Sequence, residues 1–355
     1  MIVVDGHLDI AFNRRCWGRD PRVSALETRR REGDQAEQRF RGRCMVGLPE
    51  LRAGRVAVVF STIFLPRARD WTELGDPAGL AYANEDEAEA LGREELDFYR
   101  ELDDGDGFRL VGSRADLKEV LAGWENDATG DVGLVPLLEG ADPIRSPGDV
   151  AEWFERGVRI VGLAWRGTRY AGGTGEPGPL TAAGRRLVPA LGQAGLVLDL
   201  SHAAEESFFQ AIDLLEGPVI ASHSNPRAIC AGDRQLSDAM IRAISSRGGV
   251  IGVVPFNRML VVGWADLGRP EVPVARVVEA IHHVVQVTGT HEKVAIGSDF
   301  DGGFGAESSP KGLDTVGDLP RLSDTLADRG FTDDAIYDIL GRNWIRFLEG
   351  ALPED

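Results

Sequence analysis

Cysteine is scarce in this chain, and the three present, Cys16, Cys44 and Cys230, lie far apart. That argues against a disulfide framework or a cysteine-type zinc site and fits reduced thiols in a cytoplasmic protein. No apolar run reaches membrane-spanning length. The first ten residues form a strand pattern rather than a charged segment followed by an apolar core, so no signal peptide is expected. Positive charge is also short: 39 Lys and Arg stand against 57 Asp and Glu, for a net −18. Nucleic acid and anionic membrane are therefore not expected as partners. The phosphate-cradling pattern GxxxxGKS/T is missing from the Gly-rich segment RGTRYAGGTGEPGPL (166–180), which reads instead as a mobile loop at the active edge.

What the chain does have is repetition of buried strand and amphipathic helix. Hydrophobic residues make up 43% of its 355 positions, enough for a sizeable core. Eight apolar runs stand out, at 2–5, 57–64, 134–138, 158–164, 197–200, 218–222, 250–255 and 294–298. Helical spacing fills most of the gaps. It is clear in 85–104, in RADLKEVLAGW behind Ser113 as N-cap, in VARVVEAIHHVVQVTG and in the C-terminal DDAIYDILGRNWIRFLEG. His282 and His283 fall inside such a helix and read as ordinary helix residues. Residues 13–43 form a polar excursion, with arginines and acids interleaved around Arg29 to Gln35. They read as a solvated loop or short helix beside the cleft. No composition break marks a boundary. The expected fold is α/β: a single (β/α)8 TIM-type barrel over residues 1–355, with the C-terminal helix packed on it. A doubly wound open sheet is the alternative.

The chemistry centres on Leu198 to Asp238. LVLDL and PVIAS each end in a histidine, His202 and His223, with an amphipathic segment between them. Strand–helix–strand makes the two strands parallel, so both histidines emerge at the same sheet edge, where α/β active sites collect. A structural role is the commoner fate of one such histidine. Two together, each just past a buried strand, suggest a metal site. His7 and Asp9 follow the first run and share a face of extended chain. Glu139 ends the run VGLVPLLEG, where a buried carboxylate needs a partner, either a cation pair or a nearby arginine. The last run ends in Asp299 and Asp301. In a barrel these residues converge on one mouth. They suit two divalent ions about 3.5–4 Å apart that share a carboxylate and a hydroxide, with one aspartate free to move protons.

DGHLD (5–9), LLEG (137–140), LDLSH (198–202), SHSNPRAICAGDRQLSD (222–238) and GSDFDG (297–302) together resemble the membrane (renal) dipeptidase family, the M19 peptidases of the amidohydrolase superfamily, over nearly the whole chain. The resemblance implies a binuclear zinc site, two Zn2+ per chain. It assigns His7 and Asp9 to one zinc, His202 and His223 to the other, and Glu139 as the bridge. It also implies Asp299 as the catalytic proton carrier and Arg234 as the anchor for a dipeptide's terminal carboxylate, a role that suits a permanently charged bidentate donor. It extends to a C-terminal D-residue in the substrate and leaves room for a homodimer. One position departs from the family: Trp165 stands where its dipeptidases commonly carry an oxyanion-stabilising histidine. The Trp165 indole, Arg166 or Tyr170 could donate in its place, or Trp165 could be a pocket wall. The expected function is metallodipeptidase. Hydrolysis of N-acyl amino acids or other small amides is the alternative, and a non-catalytic metal-binding barrel is a third.

Overall fold

A computed structural model describes residues 1–33, 40–70, 80–103, 105, 107–125 and 130–355. The stretch Asp34 to Arg39 of the polar excursion lies outside the described residues.

All paired strands are parallel, and their order forms a ring. The strands are β1 (Val3–Leu8), β2 (Val56–Phe64), β3 (Phe108–Leu110), β4 (Val132–Glu139), β5 (Ile160–Gly162), β6 (Val197–Asp199), β7 (Val219–Ile220), β8 (Ile251–Val253) and β9 (Val294–Ile296). The path runs β7-β6-β5-β4-β2-β1-β9-β8. Its two ends meet through a bridge between Ala221 and Ile251, reinforced where Gly252 N–H donates to the Ala221 carbonyl and Ser224 N–H to that of Gly252. The eight expected runs are the eight ring strands. Short β3 is an addition outside the ring, paired among the described residues only with β4.

β1, β2 and β4 are buried at every position. That is why they read as unbroken apolar runs: side chains on one face fill the barrel and those on the other meet helices. The helices that periodicity placed are present, and others, among them Ile10–Trp17 and Ala182–Gln193, were not foreseen. Glu85–Leu102 is capped by Asn84, which accepts from Glu87 N–H, with acids in its first turn. Ser113 Oγ accepts from Asp116 N–H at 3.1 Å at the head of Arg114–Glu125. Ala275–Thr288 stops at Gly289 in the left-handed region. The C-terminal segment is helical throughout but widens to a π-turn at Asp338–Arg342. There Gly341 presses so closely on the Ile2 carbonyl that a methyl group would collide. Beyond it, Trp344 donates to the Ile296 carbonyl at 2.8 Å and meets Phe60 edge-on, tying the helix to the barrel. Among the described residues no helix is long and apolar enough to cross a membrane.

Candidate metal centre

The barrel delivers the chemically committed residues to one mouth with a regular offset. His7 is the penultimate residue of β1, Asp9 follows that strand, and Glu139 ends β4. Trp165, His202, His223 and Asp299 each stand three residues beyond β5, β6, β7 and β9. His202 and Asp299 adopt left-handed backbones, with φ of 63° and 57°. Such a conformation costs a non-glycine residue about 1 kcal/mol or more and is concentrated at functional sites.

Glu139 lies at the middle. Its Oε2 is 3.4 Å from His7 Nε2, which is in turn 3.8 Å from Asp9 Oδ1. Its Oε1 is 3.2 Å from His202 Nε2 and 3.5 Å from His223 Nε2. The two imidazole Nε2 atoms face each other at 3.0 Å. Potential ligand atoms gather within 4.8 Å of one another in three overlapping sets: His7, Asp9 and Glu139; Glu139, His202 and His223; His7, His223 and Asp299. His7 Nε2 is buried without a hydrogen bond. An orphaned ring nitrogen beside two carboxylates, and two ring nitrogens converging on a third oxygen, form a donor set that suits divalent cations.

The opposite edge of each ring is held by a hydroxyl. Ser222 Oγ lies 2.8 Å from His223 Nδ1 and 3.2 Å from His7 Nδ1. Thr174 Oγ1 lies 3.0 Å from His202 Nδ1. Thr62 bonds the Asp9 carboxylate. Outer contacts of this kind orient metal-ligating side chains.

Electrostatics follow from crowding these groups out of water. Burial would raise Glu139, but the three histidines outweigh it and hold the carboxyl well below its usual range. Burial would lower His7, but Glu139 and Asp9 outweigh it and push the imidazole up to about 9. His202 is pushed down to about 4 by burial and then by Arg234. His223 also falls well below its usual value, for burial and for the positive neighbours His7 and Arg234. Asp9 rises to about 7 through burial and the charge of Glu139. Asp299 rises well above its usual value, mainly by desolvation, with Asp9 and Glu139 adding to the shift.

Above the cluster opens a cleft of about 450 Å³ whose lining includes Asp9, Glu139, Trp165, His202, Arg234 and Asp299. The Arg234 guanidinium donates to Ser224 Oγ at 2.9 Å and to the His223 carbonyl at 2.5 Å. Half-buried Trp165 packs edge-on against Phe64 at 5.2 Å, in an apolar wall with Phe12. Its ring centroid is 6.2 Å from that of His202. Arg166 also lines the cleft, 3.4 Å from Asp70.

Two expectations are corrected here. Tyr170 is not available as an oxyanion donor: it is buried, and its hydroxyl bonds the Ile144 carbonyl. The Gly-rich 166–180 segment is tied down rather than mobile. Gly173 pairs with Ala203, Gly175 N–H donates to Asp233 at 2.7 Å, and Glu176 pairs with Arg67 at 3.1 Å, which together deliver Thr174 to His202. Asp301, the second aspartate after β9, turns away from the ligand cluster and accepts from Met45 and Val46 N–H at 2.8 and 3.1 Å. His283 lies in the helix Ala275–Thr288 and bonds Asp238, at the start of the helix Asp238–Ser246, at 2.8 Å, as an ordinary helix residue would. Sequence reading missed Ser222, Thr174 and Thr62. The adjacency of Ser222 to His223 in SHS was the one available signal.

A parallel barrel whose mouth gathers imidazoles and carboxylates is the build of a metal-dependent hydrolase. Residues 1–352 match the family described as membrane dipeptidase, peptidase family M19; the chain belongs to that family and is a metallodipeptidase. Among its relatives, an uncharacterized Klebsiella pneumoniae protein from the pqqA 5' region is 34% identical over 231 residues, 62% of this chain and 82% of that protein. The dipeptidase verJ of Clonostachys rogersoniana is 27% identical over 98% of this chain and 84% of its own length. The fold is that of a Rhodobacter sphaeroides metallopeptidase solved with a phosphinate mimic of the dipeptide L-Ala-D-Ala. It superposes with a TM-score of 0.78 at 24% identity, covering 99% of each chain.

Proposed function

We propose that this chain hydrolyses dipeptides with two divalent cations, zinc in keeping with the family. His7 and Asp9 would hold one cation and His202 and His223 the other, with Glu139 shared. The observation that carries this reading is the span of Glu139, whose Oε2 faces His7 at 3.4 Å while its Oε1 faces His202 at 3.2 Å. Bound there, the cations supply Lewis acidity and a water of lowered pKa.

The remaining work falls to the chain's own side chains. Asp299, raised above its ordinary range and open to the cleft, takes up a proton at its carboxylate and returns it to the departing amine nitrogen. Arg234, its fork fixed by Ser224 and the His223 carbonyl, receives the free carboxylate of the substrate. Phe12, Phe64 and Trp165 give one side chain of the substrate an apolar wall. The mimic held by the Rhodobacter sphaeroides relative supports a C-terminal D-residue as an accepted configuration. Trp165 favours one second reading: its bulk beside His202 suits N-acyl amino acids or other small amides.

The test is hydrolysis of L,L- and L,D-dipeptides and N-acyl amino acids by zinc-loaded protein, with Asp299→Asn as control. Dipeptide turnover lost in the control is the expected result. Turnover confined to N-acyl substrates moves the assignment to the second reading. Silence across the panel with two zincs bound sinks the dipeptide reading and points to Trp165 as the change that redirected the site.

A further inference from the structure

Behind the cluster lies a second layer built from two matched Asp–Ser pairs. Ser222 N–H donates to Asp199 Oδ1 at 2.9 Å and Ser222 Oγ to Asp199 Oδ2 at 2.6 Å, linking the ends of β7 and β6. Ser298 N–H donates to Asp5 Oδ1 at 2.7 Å and Ser298 Oγ to Asp5 Oδ2 at 2.5 Å, linking β9 to β1. All four side chains are buried. Each serine directly precedes a residue of the cluster, His223 or Asp299. Both pairs tie strands together, but only one reaches the imidazoles. Ser298 Oγ accepts from Phe300 N–H at 3.2 Å, whereas Ser222 Oγ faces His223 Nδ1 at 2.8 Å and His7 Nδ1 at 3.2 Å.

A hydroxyl has one proton and two lone pairs. The Asp199 carboxylate takes the proton, so Ser222 Oγ can only accept from the rings. We propose that Ser222, oriented by Asp199, is a positioning residue that holds a ring proton of His7 and of His223 on Nδ1, so that Nε2 of each ring is the nitrogen left to meet a cation. This rests on the two-cation reading above and adds to it that one hydroxyl prepares a ligand for each cation. Ser222 has little freedom to do otherwise. Its carbonyl lies against Gly252 and Gly297, where a methyl group would overlap it. Ser201 Oγ receives His223 N–H at 3.1 Å and approaches Ser222 Oγ at 3.3 Å, closing the network.

The test uses full-length protein with 15N-labelled histidine. In the metal-free wild type the His223 proton is expected on Nδ1. In Ser222→Ala it moves toward Nε2. Asp199→Asn is the sharper variant, because it keeps the size and the hydroxyl but gives Ser222 a donor instead of an acceptor. The hydroxyl proton then points at the rings and His223 shifts to Nε2–H. Ser298→Ala, which loosens the matched pair, leaves the proton on Nδ1. Chelator competition is expected to show both cations weakened together, by about 10- to 100-fold, in Ser222→Ala and in Asp199→Asn. The proposal is overturned if wild-type His223 carries its proton on Nε2, if Asp199→Asn leaves that proton unmoved, or if only one cation weakens. A wild type that binds fewer than two cations sinks the two-cation reading instead, while the ring-proton result still decides the role of Ser222.

Discussion

The two halves of the cluster share Glu139 but differ in how they hold protons. On one side, His7 is pushed up to about 9 and Asp9 to about 7. On the other, His202 is pushed down to about 4 and His223 falls as well. Burial is common to both, so it cannot be the cause of the contrast. Neighbours decide it: His7 sits between two carboxylates, whereas His202 and His223 feel the positive charge of Arg234 and, for His223, of His7 itself. One half must therefore give up protons to take a cation, and the other is already stripped. One barrel mouth, with ligands from the end of β1 on one side and from beyond β6 and β7 on the other, makes two unlike sites a few ångströms from each other.

The strongest way to break this contrast is to remove what the halves share. Glu139→Gln is expected to lose both cations and all measurable dipeptide turnover; metal analysis that finds one half still loaded would show that the halves are independent. Asp299→Asn comes next. It leaves both halves intact, so metal content should be unchanged while kcat falls by about 10²- to 10⁴-fold, the usual worth of a proton-transferring group.

The contrast itself predicts a pH dependence. A cation displaces a proton from His7 below about pH 9 and from Asp9 below about pH 7. Affinity on that side should fall as pH falls, by about tenfold per unit for each proton displaced. His202 is unprotonated above about 4, so affinity on its side should stay level through the neutral range. Cobalt titrations of metal-free protein at about pH 6 and about pH 8 measure both; two parallel slopes would dissolve the distinction. Smaller again, Trp165→Ala should change KM for dipeptides by about tenfold, the worth of one apolar pocket contact, with metal content unaltered. Smallest of all, His283→Gln removes a partly exposed hydrogen bond with Asp238 and should shift stability by less than about 1 kcal/mol and activity not at all, since that histidine belongs to neither half.

Much of this was legible in sequence because parallel strands in a barrel are buried on both faces. The eight ring strands stood out as continuous apolar runs, and His202, His223 and Asp299 could be placed at the mouth because each closely follows such a run. β3 escaped notice because it has three residues, two of them half-buried, and no place in the ring. The 166–180 segment was misjudged because glycine content reports the freedom of an isolated chain, not the bonds to Asp233, Arg67 and Ala203 that restrain this one. Tyr170 was close to the site in sequence, but its hydroxyl faces Ile144.

The sequence by itself determined the alternation of strand and helix, the barrel class and the identity of the groups at the mouth, since periodicity and chain order are local properties. Only the tertiary structure decided which Glu139 oxygen faces which histidine, that Ser222 touches two rings, that His202 and Asp299 take left-handed backbones, and that His7 and His202 titrate in opposite directions. Those outcomes depend on distances between strands far apart in the chain and on the loss of water around them, and no local pattern encodes either.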